Sequence, residues 1–505
     1  MLNTVNSCSL LGLDGAPVEA ETDIAFGKPI FAIVGLTDKA IQEATQRLRA
    51  AIKNSGVRFP SDRRVIVNLA PADNQKTGAA YDLPIAVGVV LEILKLRLDL
   101  SDSLFIGELS LEGKLRPVVG TLSVALYAKE RGFKNLYLPR ANLAEADLIP
   151  GLNAVPLDNL KQLIDHLTGA CELIGVSTTG FRQPPAERTD WSLDLNNVKG
   201  QHQAKRALEI AAAGGHNLIL NGPPGSGKTL LAKTLPSILP PLSAAEILEV
   251  TKIYSVAGRL PEGQPVIWQR PFRAPHHSSS GAALIGGGRI PMPGEISLAH
   301  RGVLFLDEFA EFPRLVLETL RQPLEDGIIT VSRAAGSLTF PARFTLIASK
   351  NPCPCGYATD PEKHCVCSPN QISNYNHKIS GPILDRLDLQ VEVPRLNFEK
   401  LQAASVEENS ATVRERVILA RERQANRFSG TNLVTNAEMG PREIQKYCLI
   451  DQASSDLLKT AMVRLQLSGR AYHRLLKTAR TIADLAGEET IKTEHMAEAL
   501  QYRSK

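Results

Sequence analysis

A glycine-rich run near the middle of the chain has the strongest potential for chemistry. Gly222-Pro223-Pro224-Gly225-Ser226-Gly227-Lys228-Thr229 fits the pattern G-x-x-x-x-G-K-[ST]. A short apolar run, His216–Leu220, precedes it and a helical pattern, Leu230–Leu235, follows. The three glycines permit backbone conformations that aim several N–H groups at one phosphate, and the helix N-terminus adds its positive end. Lys228 would reach the β- and γ-phosphates of a bound nucleotide, and Thr229 would ligate Mg2+. Farther on, Val303–Leu306 ends in Asp307-Glu308, which reads as a buried strand delivering two carboxylates to its C-terminal end. Asp307 would complete the Mg2+ shell, and Glu308 would polarise the water that attacks the γ-phosphate. A third strand, Phe344–Ser349, ends close to Asn351, a polar group able to sense that phosphate. Arg386 sits between Asp385 and Asp388; it is either half of a surface ion pair or an arginine finger for a neighbouring subunit's nucleotide.

Four of the seven cysteines crowd into Cys353-Pro-Cys355 and Cys365-Val-Cys367. Four thiolates make a tetrahedral Zn2+ site, with His364 as a spare ligand, although C-x-C is not the usual spacing. Four reduced thiols and a redox switch are the alternatives. The intervening residues, 356–363, are polar and have no core of their own to bury, so a metal would pin them. Cys8, Cys171 and Cys448 read as core or incidental thiols.

The elements that must position these groups follow from pattern. Residues 1–176 alternate strand-like runs (Phe31–Val34, Val65–Leu69, Leu104–Ile106, Leu136–Leu138) with helical ones (Asp38–Asn54, Leu122–Arg131), an α/β or α+β domain. The polar, proline-containing stretch 177–193 reads as a linker. Residues 194–396 carry the strand–turn–helix grammar of a parallel α/β nucleotide-binding core, with the cysteine-rich loop at 351–368. Residues 397–505 are helical: Ser410–Arg427, Pro441–Leu449, Gln452–Gln466, Arg470–Ala486 and Lys492–Arg503.

Composition bounds the function. With 505 residues, 43% of them hydrophobic, the chain has several cores' worth of apolar surface and is not a disordered or fibrous protein. The net charge of +4 gives no whole-chain argument for a polyanion partner. By segment, however, residues 1–180 are net −2 and residues 400–505 are net +4. Arg470, Arg474 and Lys477 recur at i, i+4 and i+7, one helix face; the face is either solvated or in contact with phosphates. Met1–Pro17 lacks a basic n-region, and no apolar run approaches the ~20 residues of a membrane span. The chain reads as soluble and cytoplasmic, with no membrane partner.

These motifs together resemble an AAA+ ATPase of the clade that holds the magnesium-chelatase ATPase subunit and the MCM helicases. The segments 200–216, Pro271-Phe-Arg-Ala-Pro-His-His277, 293–302 and Asn351-Pro-Cys-Pro-Cys-Gly356 narrow the resemblance to the YifB/ComM family of bacterial magnesium-chelatase-like proteins, over essentially the whole chain. The resemblance implies a homo-hexameric, ATP-driven DNA motor, a branch-migration helicase serving natural transformation and recombination. It makes Gly222–Thr229 the Walker A motif, Asp307 and Glu308 Walker B, Asn351 sensor 1, Arg386 the finger and Arg470 sensor 2, with Arg474 in reserve. It places a β-hairpin at 325–344. There Ile328–Ser332 and Ser337–Phe340 flank a small-residue tip, and Arg333 would face branched or single-stranded DNA in the ring pore. Arg273, His276, His277 and Arg289, on a second glycine-rich insertion, are weaker DNA candidates.

The N-terminal domain resembles the Lon-protease-like, ribosomal S5 domain 2-type fold, carried by 68–78 and 107–120. A Lon-type protease needs a Ser activated by a Lys; Ala80 and Leu122 stand at those positions, so no peptidase activity is expected. The rival readings are a magnesium-chelatase-type ATPase remodelling a protein partner and a non-enzymatic scaffold. The intact Lys228, Asp307, Glu308 and Arg386 argue against the scaffold.

Overall fold

The computed structural model describes residues 3–35, 38–60, 62–72, 76, 78–180, 193–288, 291–333, 336–396, 407–465 and 467–503. The chain divides into two compact units, residues 1–184 with 244–267, and residues 185–243 with 268–505. Most of the expected linker, 181–192, lies outside the described residues.

The first unit is built on an eight-stranded mixed sheet. From one edge to the other its strands are Val176–Ser177, Asn153–Leu157, Asn135–Pro139, Ser103–Phe105, Asn3–Leu11, Asp14–Phe26, Arg63–Ala70 and Ile30–Val34. The long hairpin Asn3–Leu11/Asp14–Phe26 was not expected, because its second strand is acid-rich. Period two is nonetheless present: Val18, Ala20 and Thr22 point inward while Glu19 and Asp23 alternate outward or partly so. Helix Asp82–Leu94 is apolar nearly all round and buried over its first ten residues, as a core helix must be.

One element of this unit comes from far along the chain. Helix Ala244–Val256 falls inside the 194–396 span read as one nucleotide-binding core, yet it packs with helix Thr121–Glu130 in the first unit. Ile247, Val250, Ile253 and Val256 are buried there. The backbone N–H of Gly120 donates to Ser255 O at 3.1 Å, and Lys252 Nζ donates to Asp14 Oδ1 at 2.7 Å.

The second unit holds a five-stranded, all-parallel sheet in the order Phe272–Arg273, Val303–Leu306, Thr345–Lys350, Leu218–Asn221, Leu389–Glu392. Its strands are short and apolar, as a sheet covered on both faces requires. The C-terminal region is helical: Ser410–Arg427, Pro441–Tyr447, Gln452–Arg464, Gly469–Ala486 and Thr493–Gln501, within a few residues of the expected ranges. These helices share one apolar core with the sheet. Leu218, Leu220, Val391, Val417, Leu475, Ile482 and Met496 belong to the same buried cluster. Among the described residues, no helix is long and apolar enough to cross a membrane.

Candidate functional site

The parallel strands converge at their carboxyl ends on the glycine-rich loop. Strand Leu218–Asn221 enters it and helix Lys228–Ile238 leaves it. Gly222 is required sterically, since a Cβ there would lie 2.2 Å from Val393 O. Gly225 and Gly227 have φ of +77° and +91°, and a Cβ at either would point into open space. The loop is thus an open cradle whose backbone only glycine adopts without strain, which fits a phosphate group.

The Lys228 ammonium is folded over this cradle. It donates to Gly222 O at 2.7 Å, Pro223 O at 2.9 Å and Asn351 Oδ1 at 3.2 Å. Burial pulls its pKa below the ordinary lysine value, and Asp307 opposes that pull. Thr229 Oγ1 donates to Asp307 Oδ2 at 2.7 Å, so the hydroxyl and carboxylate expected to share Mg2+ already meet. The other carboxylate oxygen, Asp307 Oδ1, accepts from Ser349 Oγ and from the Glu308 N–H at 3.1 Å. Sequence reasoning missed Ser349. The signal lay in strand register: Leu306 pairs with Ala348, which puts Ser349 beside Asp307.

Glu308 has φ of +52°, in the left-handed region, and its carboxylate is 55% exposed. His277 Nδ1 lies 3.1 Å from Glu308 Oε2, while the His277 ring packs at a tilt against His276 and edge-on with Phe312. A residue first considered for DNA contact is therefore a partner of the acidic pair. The structure brings Lys228, Thr229, Asp307, Glu308 and Asn351 into one site.

Arg386, Arg470 and Arg474 are elsewhere. The Asn217 side-chain amide donates to Arg386 O at 3.2 Å, and the Asp388 N–H donates to Asn217 O at 2.9 Å. Asn217 stands at the amino end of strand Leu218–Asn221, whereas Gly222 follows its carboxyl end. Extended chain between them spans about 16 Å. At this far edge Arg386 Nη1 donates to Pro382 O at 2.6 Å, and its guanidinium pairs with Glu325. Glu325 Oε1 also lies 3.6 Å from Arg470 Nη2. The Arg386 hydrogen bond holds the Glu325 carboxyl below its ordinary value.

The proposed basic stripe needs correction. Arg470 is 63% exposed, but Arg474 is turned inward toward Asp388 at 3.7 Å, and Lys477 Nζ donates to Ala437 O at 2.9 Å. Helical spacing put the three on one face without saying what that face meets, and here most of it meets protein.

Of the other DNA candidates, Arg333 ends the hairpin strand Ile328–Arg333, paired with Gly336–Pro341. Ile329, Val331 and Phe340 face inward, while Thr330–Thr339 and Ser332–Ser337 form two hydroxyl pairs on the exposed face. Arg333 is exposed beside them and passes over Gly287, where a Cβ would lie 3.0 Å from its Nη2. Arg273 is occupied by a two-point ion pair with Glu295, at 2.6 and 2.7 Å, which disfavours a phosphate contact. Arg289 and the hairpin tip, 334–335, lie outside the described residues.

The four cysteines do come together. Cys353 Sγ lies 3.4 Å from Cys355 Sγ and 3.7 Å from Cys365 Sγ, Cys355 and Cys365 are 3.6 Å apart, and all four sulfurs fall within 4.8 Å of one another. Tetrahedral Zn2+ with bonds of ~2.3 Å sets its sulfurs about 3.8 Å apart. His364 is exposed and stands outside the cluster.

Three family models match the chain: "Magnesium chelatase, subunit ChlI" over residues 194–401, "Subunit ChlI of Mg-chelatase" over 20–142, and "Magnesium chelatase, subunit ChlI C-terminal" over 407–503. The chain is 45% identical over 506 residues to uncharacterized protein YifB of Salmonella typhimurium, covering 100% of this chain and 97% of that one. It is 43% identical over 512 residues to competence protein ComM of Haemophilus influenzae, with the same coverage. A weaker match, 27% identical over 157 residues, relates 30% of the chain to 18% of Lon protease 1 of Myxococcus xanthus.

Proposed function

The chain belongs to the YifB/ComM family of magnesium-chelatase-like AAA+ ATPases, and from that membership we propose that it is a hexameric, ATP-hydrolysing DNA motor that migrates branched junctions. One observation carries the reading beyond "ATPase". Arg386 belongs to the sheet edge opposite the phosphate loop, about 16 Å of extended chain away. Such an arginine serves hydrolysis only when another subunit presents its nucleotide to that edge.

Within one subunit, Gly222–Thr229 binds ATP, and Thr229 and Asp307 hold Mg2+. Bound Mg2+–ATP supplies the γ-phosphoryl group that water attacks. Lys228 exchanges the carbonyls of Gly222 and Pro223 for phosphate oxygens. Glu308 takes the proton from the attacking water, and Asn351, bonded to Lys228, fixes the third strand's end against the phosphate. Arg386 enters from the neighbour, with Arg470 or Arg474 beside it.

The DNA part rests on the hairpin and on the name of the Haemophilus relative, a competence protein. The hydroxyl pairs and Arg333 form a polar, cationic face, and six copies around a pore would track phosphates. The N-terminal unit is read as a Lon-like domain without the protease dyad, Ala80 and Leu122 standing in its place. The four cysteines are assigned one structural Zn2+. The site of action is the cytoplasm.

The test is a synthetic four-way junction incubated with the protein and ATP. Strand exchange that requires hydrolysis supports the reading; ATP turnover without junction movement, alongside ATP-dependent remodelling of a protein partner, favours the chelatase-type alternative. Arg333→Ala is expected to remove DNA stimulation of the ATPase while leaving the ring intact by sedimentation.

A further inference from the structure

We propose that the four-cysteine cluster, holding one thiophilic divalent cation, is the strut that fixes the phosphate loop, so that metal occupancy sets nucleotide affinity. This rests on the zinc assignment and extends it from folding to nucleotide binding.

The cluster lies against the nucleotide site. Cys353 is buried and stands two residues after Asn351, whose side chain accepts from Lys228 at 3.2 Å. The peptide N–H of Gly356 donates to Cys353 O at 3.0 Å, closing a tight turn. Gly356 has φ of +85°, and a Cβ there would lie 2.5 Å from Pro224 Cδ. The backbone of the cysteine turn is therefore seated directly on the second proline of the phosphate loop. Pro352, Cys353 and Gly356 make a buried near end.

The far end has no comparable support. From Ala358 to Asn370 no apolar side chain is buried, although the Asp360 side chain is, and Val366 is 84% exposed. Asp360 accepts from the Glu362 and Lys363 backbone N–H groups at 2.8 and 3.1 Å, bonds local to the loop itself, and Arg395 reaches Asp360 and Glu362 only at 3.7 and 3.6 Å. No apolar core fixes residues 357–367 in place. A metal bridging Cys353 and Cys355 to Cys365 and Cys367 closes this loop at both ends, and binding energy at such sites is ordering energy. Without it, the near end loses its tether, and with it the position of Asn351 and the wall behind Pro224.

The experiment uses the full-length chain. Zinc is counted by elemental analysis, and the Kd for a fluorescent ATP analogue is measured on the protein as purified, after chelator treatment, and after zinc or magnesium is restored. Circular dichroism monitors the fold throughout. The expected result is about one Zn per chain, with a loss of affinity of tenfold or more on stripping that zinc reverses and magnesium does not. Cys365→Ser/Cys367→Ser should reproduce the stripped state. Gly356→Ala separates strut from metal: it should keep zinc yet weaken nucleotide binding, because its methyl group displaces Pro224. A protein that neither contains nor takes up zinc overturns the zinc assignment itself. A zinc protein whose stripped form and Gly356→Ala variant bind the nucleotide unchanged overturns the strut alone, leaving the zinc assignment and the phosphate loop's role standing.

Discussion

The two edges of the parallel sheet are finished to different degrees. At the carboxyl edge the groups meant for nucleotide are already paired with one another: Lys228 with two carbonyls and Asn351, Thr229 and Ser349 with Asp307, His277 with Glu308. At the amino edge the guanidinium groups of Arg386, Arg474 and Arg503 (the last next to Tyr502, whose O accepts from the Gln390 N–H at 2.8 Å) are turned inward but incompletely used. Arg386 Nε, Arg474 Nη1, and Arg503 Nε and Nη2 have no hydrogen-bond partner among the described residues. Buried donors without acceptors are costly, and burial depresses the pKa of both Arg474 and Arg503. The carboxyl edge also leaves Ser226 Oγ and Asn221 Oδ1 without hydrogen-bond partners among the described residues, but its charged groups are paired, whereas the unpartnered atoms of the amino edge are arginine donors. Under the proposed function, a subunit built this way binds nucleotide alone and hydrolyses it in company.

The sharpest way to break that comparison is to damage each edge separately. Glu308→Gln should bind ATP normally and lose turnover by up to about 10⁴-fold, the loss of a general base; retained turnover in single-cycle assays would remove Glu308 from the chemistry. Arg386→Ala should cost about 10³-fold in turnover with the ATP affinity of the lone subunit unchanged. Because the two faults lie on opposite edges, mixing the variants in equal amounts should recover part of the activity, through interfaces that pair an intact Glu308 with an intact Arg386. No recovery, together with weakened ATP binding by Arg386→Ala alone, would mean that both edges serve one nucleotide. The smallest effect belongs to Ser349→Ala. It removes one hydrogen bond to Asp307, about 1 kcal/mol, and should lower Mg2+ affinity severalfold without touching Arg386-dependent steps.

The carboxyl edge was the legible one. A phosphate loop is local: eight consecutive residues carry the glycines, the lysine and the hydroxyl, and an apolar run ending in two acids announces its strand. Ser349 was not assigned and His277 was assigned to DNA, because their places beside the acidic pair depend on how separate strands pair. Phe272 lies opposite Val303 and Val303 opposite Thr345, pairings that no single segment states. The cysteines were recognised as a group by proximity in sequence, but their contact with Pro224 depends on a backbone turn at Gly356. The basic stripe failed in the opposite way. Periodicity gave the correct face of helix Gly469–Ala486, but the face turned out to pack on Asp388 and the backbone at Ala437. The N-terminal hairpin was hidden because acidic residues occupy alternate positions of a strand whose other side is core.

Helix Ala244–Val256 bears on inheritance. It begins only a few residues after the phosphate-loop helix Lys228–Ile238, yet its apolar side, with Ile247, Val250, Ile253 and Val256, completes the first unit's interior. The chain thus crosses between its two units not once, at the stretch near 185, but again on either side of this helix. A gene fragment ending near that stretch would encode a first unit missing one wall, and the remainder would carry a greasy helix with nowhere to bury it. A single cut near that stretch therefore does not separate the two units cleanly, because the first unit's last helix is encoded inside the second unit's span.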